Sequence, residues 1–161
     1  MDEDMDIKPA DFSDQKLIDL LSVHVTTARA ATALGSAHAL DLEGLKSPDI
    51  DFWTLWEGEA LLGVGALKQL TPDHGEVKSM HTVENARGRG VGTLMLRHLI
   101  EQARLKGMTR LSLETGSWDY FIPARALYAM HGFAECPPFG DYRPDPNSVF
   151  MAIKLESNNE A

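Results

Sequence analysis

Residues 76–107, EVKSMHTVENARGRGVGTLMLRHLIEQARLKG, read as a strand, a glycine-punctuated turn and a helix. The centre of the stretch is Arg87-Gly88-Arg89-Gly90-Val91-Gly92. Glycines at the mouth of a helix leave backbone N–H groups without intrahelical partners, and without Cβ atoms to keep a ligand away. The helix dipole and the charges of Arg87 and Arg89 act at the same end, so a phosphate or diphosphate is the expected occupant. A dinucleotide fingerprint would need glycine at Thr93 and preceding βαβ units, and a Walker loop would need Gly-Lys-Ser/Thr; neither is present. The helix carries Val91, Leu94, Met95, Leu99 and Ala103 at helical spacing, stops at Gly107, and offers Arg97 and Glu101 as an i, i+4 pair.

Upstream, Met5 to Pro9 reads as a short strand. Ser13 or Asp14 suits the cap of a helix whose apolar face is Leu17, Leu20, Leu21, Val25 and Ala28. The pattern breaks at Gly35, and a second helical piece runs from Ala37 to Leu45. Asp51 to Trp56 and Leu61 to Leu70 form the expected hairpin, joined to the central strand by a loop over Thr71-Pro72-Asp73-His74-Gly75. Downstream, Arg110 to Thr115 is a strand parallel to the central one, because a helix intervenes. A helix from about Pro123 to His131 is stopped by Gly132, and Phe133 to Cys136 and Val149 to Leu155 close the sheet around a long loop. Antiparallel hairpins around one crossover give a mixed α/β fold, with a central mixed sheet flanked by helices. Residues 5–155 are expected to form one domain, with 1–4 and 156–161 as flexible tails.

Composition bounds the function. The chain has 161 residues, 43% hydrophobic and 24% charged, and its 15 basic against 24 acidic residues give a formal charge of −9. That balance argues against nucleic acid as a partner. Cys136 is the single cysteine, consistent with a reducing cytoplasm. Met1 to Asp6 is acidic where an export signal would be basic, and no run approaches the ~20 apolar residues of a membrane span. No metal site is expected, for His24 and His38 have no second ligand at metal spacing.

Arg-x-x-Gly-x-Gly is filled by Arg87, Gly90 and Gly92 after a strand, and Ala-Leu-Tyr-x-x-x-Gly-Phe follows at 126–133. On these residues the sequence resembles the GNAT superfamily of acyl-CoA-dependent N-acetyltransferases, over essentially the whole chain. The segment GDYRPDPNSVFMAIKL, 140–155, resembles bacterial members of the YsnE type. The resemblance implies the GNAT acyl-CoA N-acyltransferase fold, acetyl-CoA as co-substrate, and direct transfer to a small-molecule or protein amine by a monomer or homodimer. It also implies that Arg87, Gly88, Arg89, Gly90, Val91, Gly92 and Thr93 hold the diphosphate, and that backbone groups at Thr82 and Val83 meet pantetheine. Phe121 stands where many members carry asparagine. The alternative function is a non-catalytic acyl-CoA sensor of the same fold.

Acetyl transfer also needs a base for the amine, since a lysine-like amine has a pKa of about 10.4. Many members place a tyrosine near the CoA sulfur as general acid, and Tyr128 matches it; the other reading is a packing tyrosine. Glu76 lies eleven residues before Arg87, the spacing at which some protein-acetylating members carry a catalytic glutamate. Strand alternation sets it on the face of Met80 and Thr82 and opposite His81, with roughly 20 Å of extended chain between Glu76 and Thr82, so a water relay or bulge is expected. A salt bridge to Lys78 is its other reading. His81 is a second proton carrier by residue type, and His131 suits the negative end of its helix. Trp118, Tyr142 and Arg143 fall on loops expected around the acceptor, where arginine suits a carboxylate. Asp145 to Ser148 suits a turn.

Overall fold

The computed structural model describes residues 5–22 and 46–156. The remaining ends, Val25, Ala28, the break at Gly35, the piece from Ala37 to Leu45, and both His24 and His38 lie outside the described residues. Strand β1 is Met5–Pro9, and helix α1 is described over 15–22. Asp14 is its cap, accepting the N–H of Lys16 at 2.8 Å.

The hairpin forms a little longer than the sequence pattern marks, as β2, Ile50–Glu57, and β3, Ala60–Thr71. Glu57 pairs with Ala60 across Gly58-Glu59, and Gly58 takes φ +59°, which suits glycine at the first turn position. Strand β4, His74–Thr82, folds back on β3. The loop expected over five residues shrinks to Pro72-Asp73, because Thr71 pairs with His74 and Gln69 with Gly75.

Helix α2, Val91–Leu105, carries the chain over to β5, Arg110–Gly116, which runs parallel to β4. Gly107 ends the helix at φ +85°, and the Met108 N–H reaches back to the Ala103 carbonyl at 3.0 Å. A 3-10 turn, Asp119–Phe121, precedes helix α3, Ile122–Met130. Strands β6, Ala134–Glu135, and β7, Ser148–Lys154, complete a seven-stranded mixed sheet in the order β1-β2-β3-β4-β5-β7-β6.

Helix α2 covers one face, burying Met95, Leu96, Leu99 and Ala103 with Leu67, Val77, Leu111 and Leu113. Gly65 allows the close approach: a Cβ there would sit 2.6 Å from Met95 Cγ. Leu96 and Leu99 have no exposed surface, so cutting either back to alanine would cost about 2–5 kcal/mol. Helix α1 covers the other face, setting Leu17, Leu20 and Leu21 against Phe52, Val64 and Ala66. On the outside of α2, Glu101 faces Arg104 at 3.9 Å; among the described residues no ion pair joins it to Arg97.

One residue breaks the regularity of β4. Ser79 has φ +57°, and the pairing with β3 jumps from Ala66–Lys78 to Val64–His81, the mark of a one-residue bulge. Directly paired residues share a sheet face. Glu76, Lys78 and His81 therefore lie on the α1 side with Val64 and Ala66, while Val77 and Thr82 lie on the α2 side. The alternation read from sequence, which grouped Glu76 with Thr82 and set His81 opposite, is corrected by that inserted residue. The β4–β5 ladder runs only to Val77–Leu113, and beyond it the two strands part.

Candidate active site

The first of two hollows lies at the mouth of α2. Gly90 is the helix's N-cap, at φ +83° with no side-chain capping bond, and Gly88 takes φ +81°. Nothing lies within 4 Å of a Cβ built on either residue. The unpaired N–H groups of the first turn thus meet open space at the positive end of the helix. Arg87 is exposed, with no side-chain hydrogen bond or ion pair among the described residues.

Other expected members of the cradle also make contacts within the fold. Arg89 Nη2 bonds Glu57 Oε2 at 2.5 Å, which holds the Glu57 carboxyl below the usual carboxylate range, and Arg89 is not among the cavity walls. Gly92 lies inside the helix, where a Cβ would come 3.1 Å from Leu127 Cδ2; its missing side chain lets α3 approach α2. Val83 gives its N–H to the Leu62 carbonyl at 2.9 Å and accepts from Ala86 at 3.0 Å, so its backbone groups already have partners within the fold. Thr82, Val91, Gly92 and Thr93 line the cavity.

From the cradle a cavity of about 470 Å³ runs past Thr82 to Phe121 and Tyr128. Phe121, in the place of the family's asparagine, lays its ring on Gly116, where a Cβ would sit 2.0 Å from Phe121 Cδ2. The ring gives the cavity an apolar wall at this point. Tyr128 is 8% exposed, and its ring meets Phe133 edge-on at 5.9 Å. Its hydroxyl has no hydrogen-bond partner among the described residues. Burial, with a smaller contribution from the charge of Glu114, pushes the phenol up to about 12.

The second hollow, about 710 Å³, lies on the α1 side of the sheet, between β3, β4 and the loop 136–147. Met80 lines the first hollow and Lys78 the second. Here Glu76, 3% exposed, accepts the Tyr142 hydroxyl at 2.6 Å. Lys78 Nζ reaches both Glu76 Oε2 and the Tyr142 oxygen at 3.0 Å. The ion pair with Lys78 is therefore present, and Tyr142 closes it into a ring. Burial and the charge of Glu76 push the Tyr142 phenol well above its ordinary range. Edge-on contact with Phe139 and tilted contact with Phe150, with centroids at 5.1 and 5.4 Å, fix the tyrosine ring.

The structure thus brings Tyr128 to the cradle, and brings Glu76, Tyr142 and Arg143 together elsewhere. Trp118 belongs with neither group. It meets Phe121 edge-on at 5.3 Å, with its indole N–H buried and without a partner among the described residues. His131 Nδ1 lies 2.9 Å from the Leu127 carbonyl at the end of α3, the structural place its position suggests. Asp145 accepts the Asn147 N–H at 2.8 Å, as a turn would have it. Lys68, His74 and Asp141 also line the second hollow and were not read as site residues from the sequence. The register was the signal for Lys68, since a turn at Pro72-Asp73 brings it opposite Glu76. Among the described residues no helix is long and apolar enough to cross a membrane.

Comparison with known proteins gives relatives along the whole chain. The Acetyltransferase (GNAT) family matches residues 21–133. The uncharacterized N-acetyltransferase YsnE of Bacillus subtilis (strain 168) is 48% identical, over 94% of this chain and 100% of that one. The uncharacterized N-acetyltransferase YedL of Escherichia coli (strain K12) is 45% identical, over 96% of this chain and 97% of its own. Among solved structures, a Bacillus subtilis acetyltransferase in complex with CoA matches with TM-score 0.71 at 19% identity, covering 94% of this chain and 99% of that one.

Proposed function

The chain belongs to the GNAT family of acetyltransferases, and on that premise we propose that it moves the acetyl group of acetyl-CoA to a primary amine by direct transfer, with both substrates bound at once. The observation that carries this reading is the turn at Gly88 and Gly90, open where each Cβ would stand, at a helix mouth with no side-chain cap beside Arg87, which has no side-chain partner among the described residues. Such a turn fits a diphosphate. The cavity running on to Tyr128 fits a slender arm.

Acetyl-CoA, when bound, supplies an acetyl carbon activated as a thioester. The chain's own groups do the rest. Backbone N–H groups of 88–92 and the Arg87 guanidinium hold the diphosphate end, and Thr82 flanks the arm. Tyr128 keeps its proton at every physiological pH, and its hydroxyl donates toward the departing sulfur. With the phenol at about 12 against about 8.5 for an ordinary thiol, that donation steadies negative charge, and solvent completes the protonation. Glu76 takes the acceptor's proton through water, from the far face of β4. Lys78 and Tyr142 hold its carboxylate, and an incoming ammonium competes with Lys78 for it.

Release of free CoA thiol, followed with a panel of amines, tests the reading. Acceptor-stimulated release is expected. Binding of acetyl-CoA with no release by any amine would instead mark an acyl-CoA sensor.

A further inference from the structure

We propose that the acceptor is a carboxylate-bearing amine, a free amino acid or a close analogue, whose carboxylate is bound by Arg143 and Lys68 in the second hollow. The inference rests on the N-acetyltransferase reading and adds the substrate's chemical class. In a chain of formal charge −9, this hollow gathers Lys68, Lys78 and Arg143. Lys78 is committed to Glu76. Lys68 and Arg143 have no side-chain hydrogen bond or ion pair among the described residues. The hollow therefore offers a guest two cations whose charge no described neighbour has used.

Their placement is fixed by different parts of the fold. Lys68 is the register partner of Glu76 and shares its sheet face. Arg143 follows Tyr142, which Glu76 and Lys78 tie to the sheet. One cation comes from a strand, the other from an anchored loop. A guanidinium presents two parallel donors that match a carboxylate. The acids of the hollow suit the opposite end of the same molecule: Glu76 near the parting of β4 and β5, and Asp141 on the loop. Phe139 and Tyr142 supply apolar surface between them. A zwitterion satisfies both ends at once. The interior of a peptide would set a neutral amide against Lys68 and Arg143.

The test uses matched pairs: glycine, L-leucine, L-phenylalanine and L-lysine, each against its own carboxamide, at saturating acetyl-CoA. At least one acid is expected to exceed its amide in kcat/KM by about 10-fold or more, the scale of a hydrogen bond to a charged group. In Arg143→Ala and Lys68→Ala that preference should fall toward one through KM for the acid, with KM for acetyl-CoA unmoved. Equal use of acids and amides, turnover of peptide or simple amines alone, or a preference that survives both substitutions overturns the proposal. If no amine releases CoA, the transferase reading itself fails. Calorimetric titration of the same pairs into the CoA-loaded protein then still decides, with binding of the acid alone expected and equal binding, or none, against it.

Discussion

The two hollows are built from different materials. At the mouth of α2 the groups open to a ligand are peptide N–H groups, exposed by Gly88 and Gly90, with Arg87 beside them uncommitted among the described residues. Under the 136–147 loop they are side chains, and three of them, Glu76, Lys78 and Tyr142, are closed into a hydrogen-bonded ring. A backbone site serves one ligand whatever its neighbours are, since every residue carries the same peptide group. A side-chain site depends on each residue identity. The first is suited to a common co-substrate and the second to selecting an acceptor.

Breaking the ring should have the largest effect. Glu76→Gln keeps the shape and removes the charge, so turnover is expected to fall by ~100- to 10,000-fold at neutral pH, with partial recovery at high pH, where the acceptor amine is already neutral. Full activity of the folded variant at neutral pH would leave Glu76 as a latch for Tyr142 alone, and His81, on the same face, as the next base to examine. Tyr128→Phe should lower the single-turnover rate by up to ~100-fold while leaving acetyl-CoA affinity intact. Equal rates in variant and parent would return Tyr128 to packing against Phe133.

The cradle is tested by binding. Gly90→Val puts a β-branched residue at φ +83° and fills the open space above the helix mouth; Arg87→Ala removes charge only. Acetyl-CoA affinity by calorimetry should drop about 10-fold or more in both. An unchanged affinity for folded Gly90→Val would break the comparison outright, because the turn would then hold nothing. The smallest effect concerns His74, which lines the second hollow and lies 2.7 Å from the buried Ser112 hydroxyl. Burial, and then Arg110, hold its imidazole below the usual range. The fold thus favours the neutral ring, whereas the unfolded chain binds a proton near 6.5. This contribution is complete above about pH 6.5 and is lost as pH falls below it. Between pH 7 and 5 the melting temperature should drop by roughly 2 °C more in the parent than in His74→Gln; parallel curves would remove His74 from the account.

The same difference in material explains what was legible in the sequence. Strand, turn and helix could be read around Gly88 and Gly90 because glycine is the visible signature of exposed backbone, and the hairpin and crossover followed from alternation and Gly107. The ring could not be read, since Tyr142 is 66 positions from Glu76 and only the folded loop joins them. Ser79 is the sharper case. Nothing in Val77-Lys78-Ser79-Met80 marks a bulge, yet one residue at φ +57° exchanged the faces of everything beyond it. Gly92 was read as part of the phosphate turn for its type, whereas Leu127, a contact between helices, also demands it.

The parting of β4 from β5 has a consequence for the protein in solution. A strand that ends its pairing early leaves a row of hydrogen-bonding groups, and such rows invite other chains to add themselves. The outer margins of this sheet are blunted: β1 runs into Pro9, and β6 is two residues long. The unpaired part of β4 is instead an edge inside the sheet, with β5 continuing on its far side. A foreign strand would have to enter between two strands of one sheet rather than add itself to a margin. The molecule thus carries its unpaired strand edge inside the sheet, where it is less apt to become a seed for aggregation than an edge at the margin would be.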